Sequence, residues 1–465
     1  MTSTATAPDH TTRLGTEPVG RLLRRACVQT TGAVGVYGIY ALTNAWFVGY
    51  GVGETAMAAV NLVAPLLLLL GAVSTTVGAG GASLISRALG AGDRQTAARA
   101  AGNTLTLFWI SAAATTTLGL AFLDPLLSLL GAHGELRESA RPYAVVLLAG
   151  ALVSTGFSSL VRAEGRMGYS TLLWVVPVAV QITLDPLLIF GLDMGVQGAA
   201  LGTVGGQAVS AAMSLWFFFG QRDRPYRIGP RELLPHGATL RALLGIGLPS
   251  FLAGTGVTLL AVLVNATLAA TGSATALAAY AVCVRLQTFV MMPHTGVSQG
   301  LQPIVGYNAG RGLADRALRA RNLALAASLL YGLLTATVLA FLGRPIAGWF
   351  LSDADTIATA GQALQVIALG LAVAGIAPLV AAYAQSLGRP APAYLISTGT
   401  LLLIKIPLLL ILGRLGTGGV WAGLAAGELA TAAVALLLLR RLGGPTRPAR
   451  PRPRPGRCAP TSPPR

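Results

Sequence analysis

The residues most able to do chemistry here are the few charged ones that stand inside long apolar stretches. Four qualify: Asp185, Arg285, Lys405 and Glu428. A charge at the centre of a membrane helix costs roughly 2.5–3.5 kcal/mol on insertion scales, so each needs a partner or a role. Asp185 is the foremost of them. In VQITLDPLLIFG it follows Gln181 by one turn, so the two side chains share a helix face. Pro186 has no N–H and leaves the carbonyl of Ile182 without its helical partner. Together with Thr203 and Asn44, this assembles a carboxylate, amide oxygens, a hydroxyl and a free carbonyl. Such a set can hold a proton, or coordinate a small hard cation through oxygen as unwound transporter helices do. The plainer alternative is a structural carboxylate that caps a broken helix turn.

The other three read differently. Lys405 and Glu428 lie at similar depth on the last two apolar stretches, and an ion pair holding them together is expected; the alternative gives Glu428 to a substrate or an ion. Arg285 reads as a structural arginine, with a substrate contact as its alternative. His294, beside Pro293, reads as a packed polar group rather than a site. Tyr40 and Gln287, like Tyr37 and Tyr280, could line a cleft, since periodicity alone does not orient them. Gly296-Val-Ser298-Gln-Gly300 matches the GxSxG pattern, but a nucleophile elbow needs a strand-turn-helix context and this one lies in an apolar helix. A Walker A loop needs Gly-Lys-Ser/Thr, and the one lysine, Lys405, sits between isoleucines. No His/Cys/acid cluster has metal-ligand spacing. The chain therefore reads as neither an enzyme nor an ATP-driven machine. No cofactor is expected, and an ion gradient, of protons or sodium ions, is the drive that remains.

The elements that must position these groups are membrane helices. Of 465 residues, 54% are hydrophobic and 11% charged, and apolar spans of roughly 20 residues recur, long enough to cross a core of ~30 Å. Spans are expected at 26–48, 58–80, 101–122, 142–162, 171–191 and 195–219. A second set follows at 243–270, 276–303, 322–343, 361–387, 393–412 and 417–439. Barrel-type alternation is absent, so helices are the viable spanning form. The two sets are copies of one another. NAWFVGYGVGETAMAA from Asn44 falls on NATLAATGSATALAA from Asn265, and Gly90, Gly92 and Arg99 fall on Gly310, Gly312 and Arg319. DPLL from Asp185 falls on IPLL from Ile406, and Gly198-xxx-Gly202-xxx-Gly206 on Gly419-xxx-Gly423-xxx-Gly427. Chance apolar similarity does not keep glycine, proline and asparagine in one register. An even number of spans per copy predicts parallel repeats with the transport path between them. The glycine rows predict close packing inside each bundle.

A net charge of +17 invites a nucleic-acid reading, which the placement of the charges excludes. Of the 33 basic residues, only Arg137, Arg141, Arg344 and Arg414 fall on one side of the spans, and only Arg285 and Lys405 within them. That asymmetry is the positive-inside rule, and it predicts both termini in the cytoplasm, with basic loops meeting anionic lipid. The expected domains are a disordered 1–20, an N-lobe at 21–219, a cytoplasmic linker at 220–241, a C-lobe at 242–440 and a disordered Pro/Arg tail at 441–465.

Three stretches carry a family resemblance: SRALGAGDRQTAARAAGNTL (86–105), ITLDPLLIFGLDMGVQGAALGT (182–203) and MMPHTGVSQGLQPIVGYNAGRG (291–312). They resemble the multidrug and toxic compound extrusion (MATE) family, nearest its bacterial DinF-like and MepA-like branch, over roughly residues 20–440. The resemblance implies an all-α membrane protein of twelve helices in two V-shaped lobes. It implies export of organic, often cationic, compounds in exchange for inward protons or sodium ions, by a single chain in the cytoplasmic membrane. A flippase for a lipid-linked saccharide, of the same superfamily, is the alternative. The family retains an aspartate and a threonine at Asp185 and Thr203. It usually carries an aspartate where Asn44 stands, four residues after Tyr40. It usually has proline at Gln29 and asparagine at Gln181. Bending of the first helix driven by a proton is therefore not expected of this chain.

Overall fold

The computed structural model describes residues 10–153, 157–271 and 273–442, and all regular structure among them is helical. The first bundle comprises α1 (Val19–Gly51), α2 (Glu54–Gly90), α3 (Arg94–Ala121) and α4 (Gly134–Gly150, resumed at Ser158–Ala163). It closes with α5 (Met167–Pro186, continued by a widened π-type stretch at Leu187–Gly191) and α6 (Gly195–Leu215). The second comprises α7 (Gly237–Ala270), α8 (Ala274–Gly310), α9 (Ala314–Ala347), α10 (Ala354–Ala374, resumed at Ile376–Ser386), α11 (Ala391–Gly413) and α12 (Thr417–Leu442). Ten of these, all but α1 and α6, are by composition long and apolar enough to cross a membrane. The sequence of α6, GVQGAALGTVGGQAVS, is too rich in glycine and glutamine to qualify. Its small residues serve packing instead: Gly198 lies on the backbone of Leu188, Gly202 on Asp185 and Gly206 on Pro177. The copied row does the same in the second bundle, with Gly419 on Leu412, Gly423 on Leu408 and Leu409, and Gly427 on Lys405.

Three hydrophobic cores define how the bundles meet. One is shared and joins residues of both, among them Leu22, Ile85 and Phe157 with Leu301, Ile304 and Leu379. The other two belong to single bundles: Val48, Val63, Leu127 and Tyr143 in the first, Val264, Leu268, Leu364 and Trp421 in the second. The shared core lies toward the face that carries the chain termini, and the separate ones lie toward the opposite face. The molecule is thus a V of two lobes joined at the terminal face.

The join follows the repeat. Gly80 of α2 lies against the carbonyl of Leu243 on α7, and Gly247 against the carbonyl of Thr76. At the copied positions, Gly296 of α8 lies on Thr31 of α1, and Gly300 on Ala26 and Cys27. The ends of α2 and α8 cross reciprocally, Gly90 on Tyr307 and Gly310 on Arg87. A side chain at these glycines would push the helices apart, which is why small residues line such crossings. Two hydrogen bonds tie the seam: Thr30 Oγ1 donates to the Gly296 carbonyl at 2.6 Å, and Ser83 Oγ to that of Gln385 at 2.6 Å.

Part of one segment expected to be disordered is folded, and the segment expected as the linker is fixed to the N-lobe. Residues 10–16, within the stretch expected to be disordered, form a helix whose Leu14 is buried. Thr11 Oγ1 donates to the Glu164 carbonyl of the N-lobe, while Asn308 Nδ2 of the C-lobe donates to the Leu14 carbonyl. Apolar burial plus two backbone acceptors supply what composition alone did not suggest. In the linker, Arg224 is buried against Glu164, and Tyr226 donates to the same carboxylate at 2.5 Å. Asn103 Nδ2 holds the carbonyls of Glu232 and Leu234. Residues 1–9 and the Pro/Arg tail from 443 lie outside the described residues.

Candidate functional site

Asp185 sits where α5 changes character. Pro186 ends the regular α-helical stretch and the chain widens over Leu187–Gly191. Such π-type widenings are frequent at functional sites. The side chain is 1% exposed and turned onto α6, where its Oδ1 occupies the space a Cβ on Gly202 would take. That oxygen has no hydrogen-bond partner among the described residues. One turn earlier, Gln181 Nε2 donates to Thr203 Oγ1 at 2.9 Å, and Thr203 Oγ1 donates in turn to the Ala199 carbonyl at 3.1 Å. Gln181 and Thr203 are both buried. Three of the four expected site residues are therefore brought together between α5 and α6.

Asn44 arrives from α1 at the same height. The helices α1 and α5 run side by side in one direction. Thr171 Oγ1 reaches the Gln29 carbonyl near one end, and Gly51 abuts Ile189 and Phe190 near the other. Asn44 is 15 residues beyond Gln29 and Asp185 is 14 beyond Thr171. At 1.5 Å per residue these are both displacements of about 21–22 Å. Asn44 is buried, and its Oδ1 also lacks a partner among the described residues. An unsatisfied buried polar atom costs about 1–3 kcal/mol. Two at one level in one lobe describe a place suited to a proton or a small cation.

In the C-lobe the polar residues do not form one site. Lys405 Nζ and Glu428 Oε1 are 2.6 Å apart between α11 and α12, as the pairing expectation had it. His294 is 1% exposed and turned into the lobe. Its Nδ1 meets Ser328 Oγ at 2.7 Å and its ring stands edge-on to Tyr331. It is packed there, facing away from the cleft, with its Nε2 buried and without a partner among the described residues. Gln287 is half-buried, nine residues before Gly296 and so on the opposite face of α8. Arg285 alone among them is exposed. The Tyr40 side chain lies outside the described residues. Gly202 is the participant that reading the sequence left out. Its signal was the glycine row on α6, there read as packing only.

The comparisons with known proteins agree with this architecture. The family model described as MatE matches residues 33–187 and 249–411. Multidrug export protein MepA of Staphylococcus haemolyticus is 28% identical over 395 residues, 83% of this chain and 85% of that one. An FAD transporter of Shewanella oneidensis is 27% identical over 403 residues, 84% of this chain and 87% of that one. A solved structure described as the outward-facing conformation of a multidrug resistance MATE family transporter superimposes with a TM-score of 0.87 at 25% identity. That superposition covers 94% of this chain and 98% of the other.

Proposed function

This chain belongs to the MatE family, and on that premise we propose that it is a secondary active exporter of amphiphilic organic compounds. Inward passage of a proton or a sodium ion through the Asp185 site drives the export. The observation that carries the reading is the Asp185 carboxylate, buried inside an N-lobe wall with one oxygen unpartnered. The unpartnered oxygen gains a partner only when an ion arrives, and that difference between loaded and empty states is what coupling requires. Gln181, Thr203 and Asn44 supply the neighbouring oxygens. The substrate passes between the lobes, which are open toward the face opposite the termini. The basic-residue asymmetry orients the termini to the cytoplasm, so the open face is external. The relatives' names, a multidrug export protein and an FAD transporter, favour soluble cargo over a lipid-linked saccharide.

The test is dye efflux from everted vesicles under an imposed pH gradient, with and without sodium. Wild type is expected to accumulate dye under one of the two ion gradients and Asp185→Asn under neither. Orientation is checked by cysteines placed at Arg231 and at Glu135. They should label from opposite sides of intact cells, and labelling from one side would overturn the arrangement.

A further inference from the structure

The four helices that face across the cleft are almost free of charge. Residues 26–53 of α1, 55–86 of α2 and 242–310 of α7 and α8 contain no aspartate or glutamate, and only one arginine or lysine, Arg285. The nearest acid along these helices is Glu54, at the rim. The two membrane-embedded acids elsewhere do not reach the cleft as free charges. Asp185 is turned onto α6, and Glu428 is bound to Lys405.

Arg285 points across the opening. Met292 of α8 touches Gly38 of α1, and Gly296 touches Thr31. Arg285 precedes Met292 by seven residues, two turns along the same face. It therefore continues, toward the open side, the line by which α8 meets the other lobe. There the lobes have diverged, and the side chain is exposed. No hydrogen bond, ion pair or ring contact from its guanidinium is found among the described residues. A guanidinium facing lipid at this depth would be expensive, whereas one facing a water-filled cleft is tolerated.

We propose that Arg285 sets the charge preference of the transport path, and that it receives an oxyanion, a carboxylate or phosphate, carried by an otherwise apolar substrate. This rests on the exporter reading above and narrows it. It departs from the cationic cargo that the family resemblance implies. A single fixed positive charge between low-dielectric walls focuses the field on the opening and concentrates anions there. The guanidinium fork matches a carboxylate or phosphate through two parallel hydrogen bonds. The apolar walls cover the rest of the molecule. A cation would meet repulsion with no acid to offset it.

The test uses fluorescein and a rhodamine ester, an anion and a cation on one xanthene frame, with the full-length protein. Binding is read in detergent by fluorescence anisotropy and export in proteoliposomes under the driving gradient. Wild type is expected to bind and export fluorescein in preference to the rhodamine ester. Arg285→Gln is expected to weaken fluorescein binding at least tenfold and leave the thermal midpoint unchanged, while Arg285→Lys keeps part of the affinity. Undiminished fluorescein binding by Arg285→Gln would overturn the proposal, as would a wild type that takes the rhodamine ester and not fluorescein. Charge-selective binding without export by either probe would leave the anion site standing and remove the exporter reading instead.

Discussion

In the N-lobe a carboxylate stands without a counter-charge at a depth where the C-lobe, at the copied position, sets a lysine against a glutamate. Asp185 corresponds to Ile406, and Lys405 is the residue before it; Gln207 corresponds to Glu428. Around both places a proline follows, Pro186 or Pro407, and a glycine row on the following helix lets the two helices touch. The π-type widening is not copied: it comes after the proline in α5, at Leu187–Gly191, and before it in α11, at Leu401–Lys405. The packing has thus been kept while the charges and the helix winding differ. Where lysine and glutamate neutralise each other at 2.6 Å, the lobe holds together without a visitor. Where the carboxylate oxygen has no partner among the described residues, the lobe keeps an open position, and the proposed coupling rests on it.

The substitution with the largest expected effect is Asp185→Asn. An amide neither releases a proton nor offers a charge, so coupled export should fall to the level of empty vesicles. The protein should still insert and elute as a folded species. Export at the wild-type rate by this variant would place the coupling elsewhere, with Glu428 the next group to examine. Gly202→Val gives a graded form of the same test. A side chain there displaces the Asp185 carboxylate, and a loss of tenfold or more in export rate is expected while Gly205→Val costs less.

The C-lobe pair should answer in stability instead. Lys405→Ala leaves Glu428 without its cation, and breaking a largely buried pair costs on the order of 2 kcal/mol after its partial exposure is allowed for. The thermal midpoint in detergent should fall by several degrees, and Lys405→Met with Glu428→Gln should recover much of it. Residual coupling in the single variant should survive in whatever protein remains folded. A Lys405→Ala protein of full stability that cannot couple would invert the contrast between the lobes.

The repeat makes this comparison visible in the sequence itself. Asn44 on Asn265 and Gly90 on Gly310 fix the two halves in register, and the structure places the copied glycines on matching crossings. The Asp185–Gln181 face was legible because helix spacing and a proline mark it, and Thr203 because the family resemblance singles it out. Gly202 as a wall for the carboxylate was not, because a packing glycine and a site glycine look alike in sequence. Nor was the direction of Arg285, or the separation of His294 and Gln287 from it. In a span apolar on all sides no face is marked, and only contact with a neighbouring helix decides. The leading helix at His10–Thr16 escaped for a related reason. Its seven residues are polar by composition, and its stability comes from acceptors and donors on both lobes.

The smallest expected difference between the lobes lies at a helix start. Asp93 caps α3, its carboxylate accepting from the Thr96 N–H at 2.9 Å and the Thr96 hydroxyl at 2.6 Å. Leu313, the copied residue, gives α9 no side-chain cap. The Thr96 hydroxyl, then its backbone N–H, hold the Asp93 carboxyl below the usual carboxylate range. A lowered folded pKa means that the contribution is complete above the unfolded value, near 4, and is lost as pH falls through the folded value. Asp93→Ala should therefore cost about 1 kcal/mol or less at pH 7 and nothing well below pH 3. Leu313→Asp should return a similar amount to the C-lobe. Thermal midpoints of the two variants, recorded from pH 7 to pH 2, check both signs. A penalty for Asp93→Ala that persists at the acid end would show that the loop, rather than the cap, was being measured.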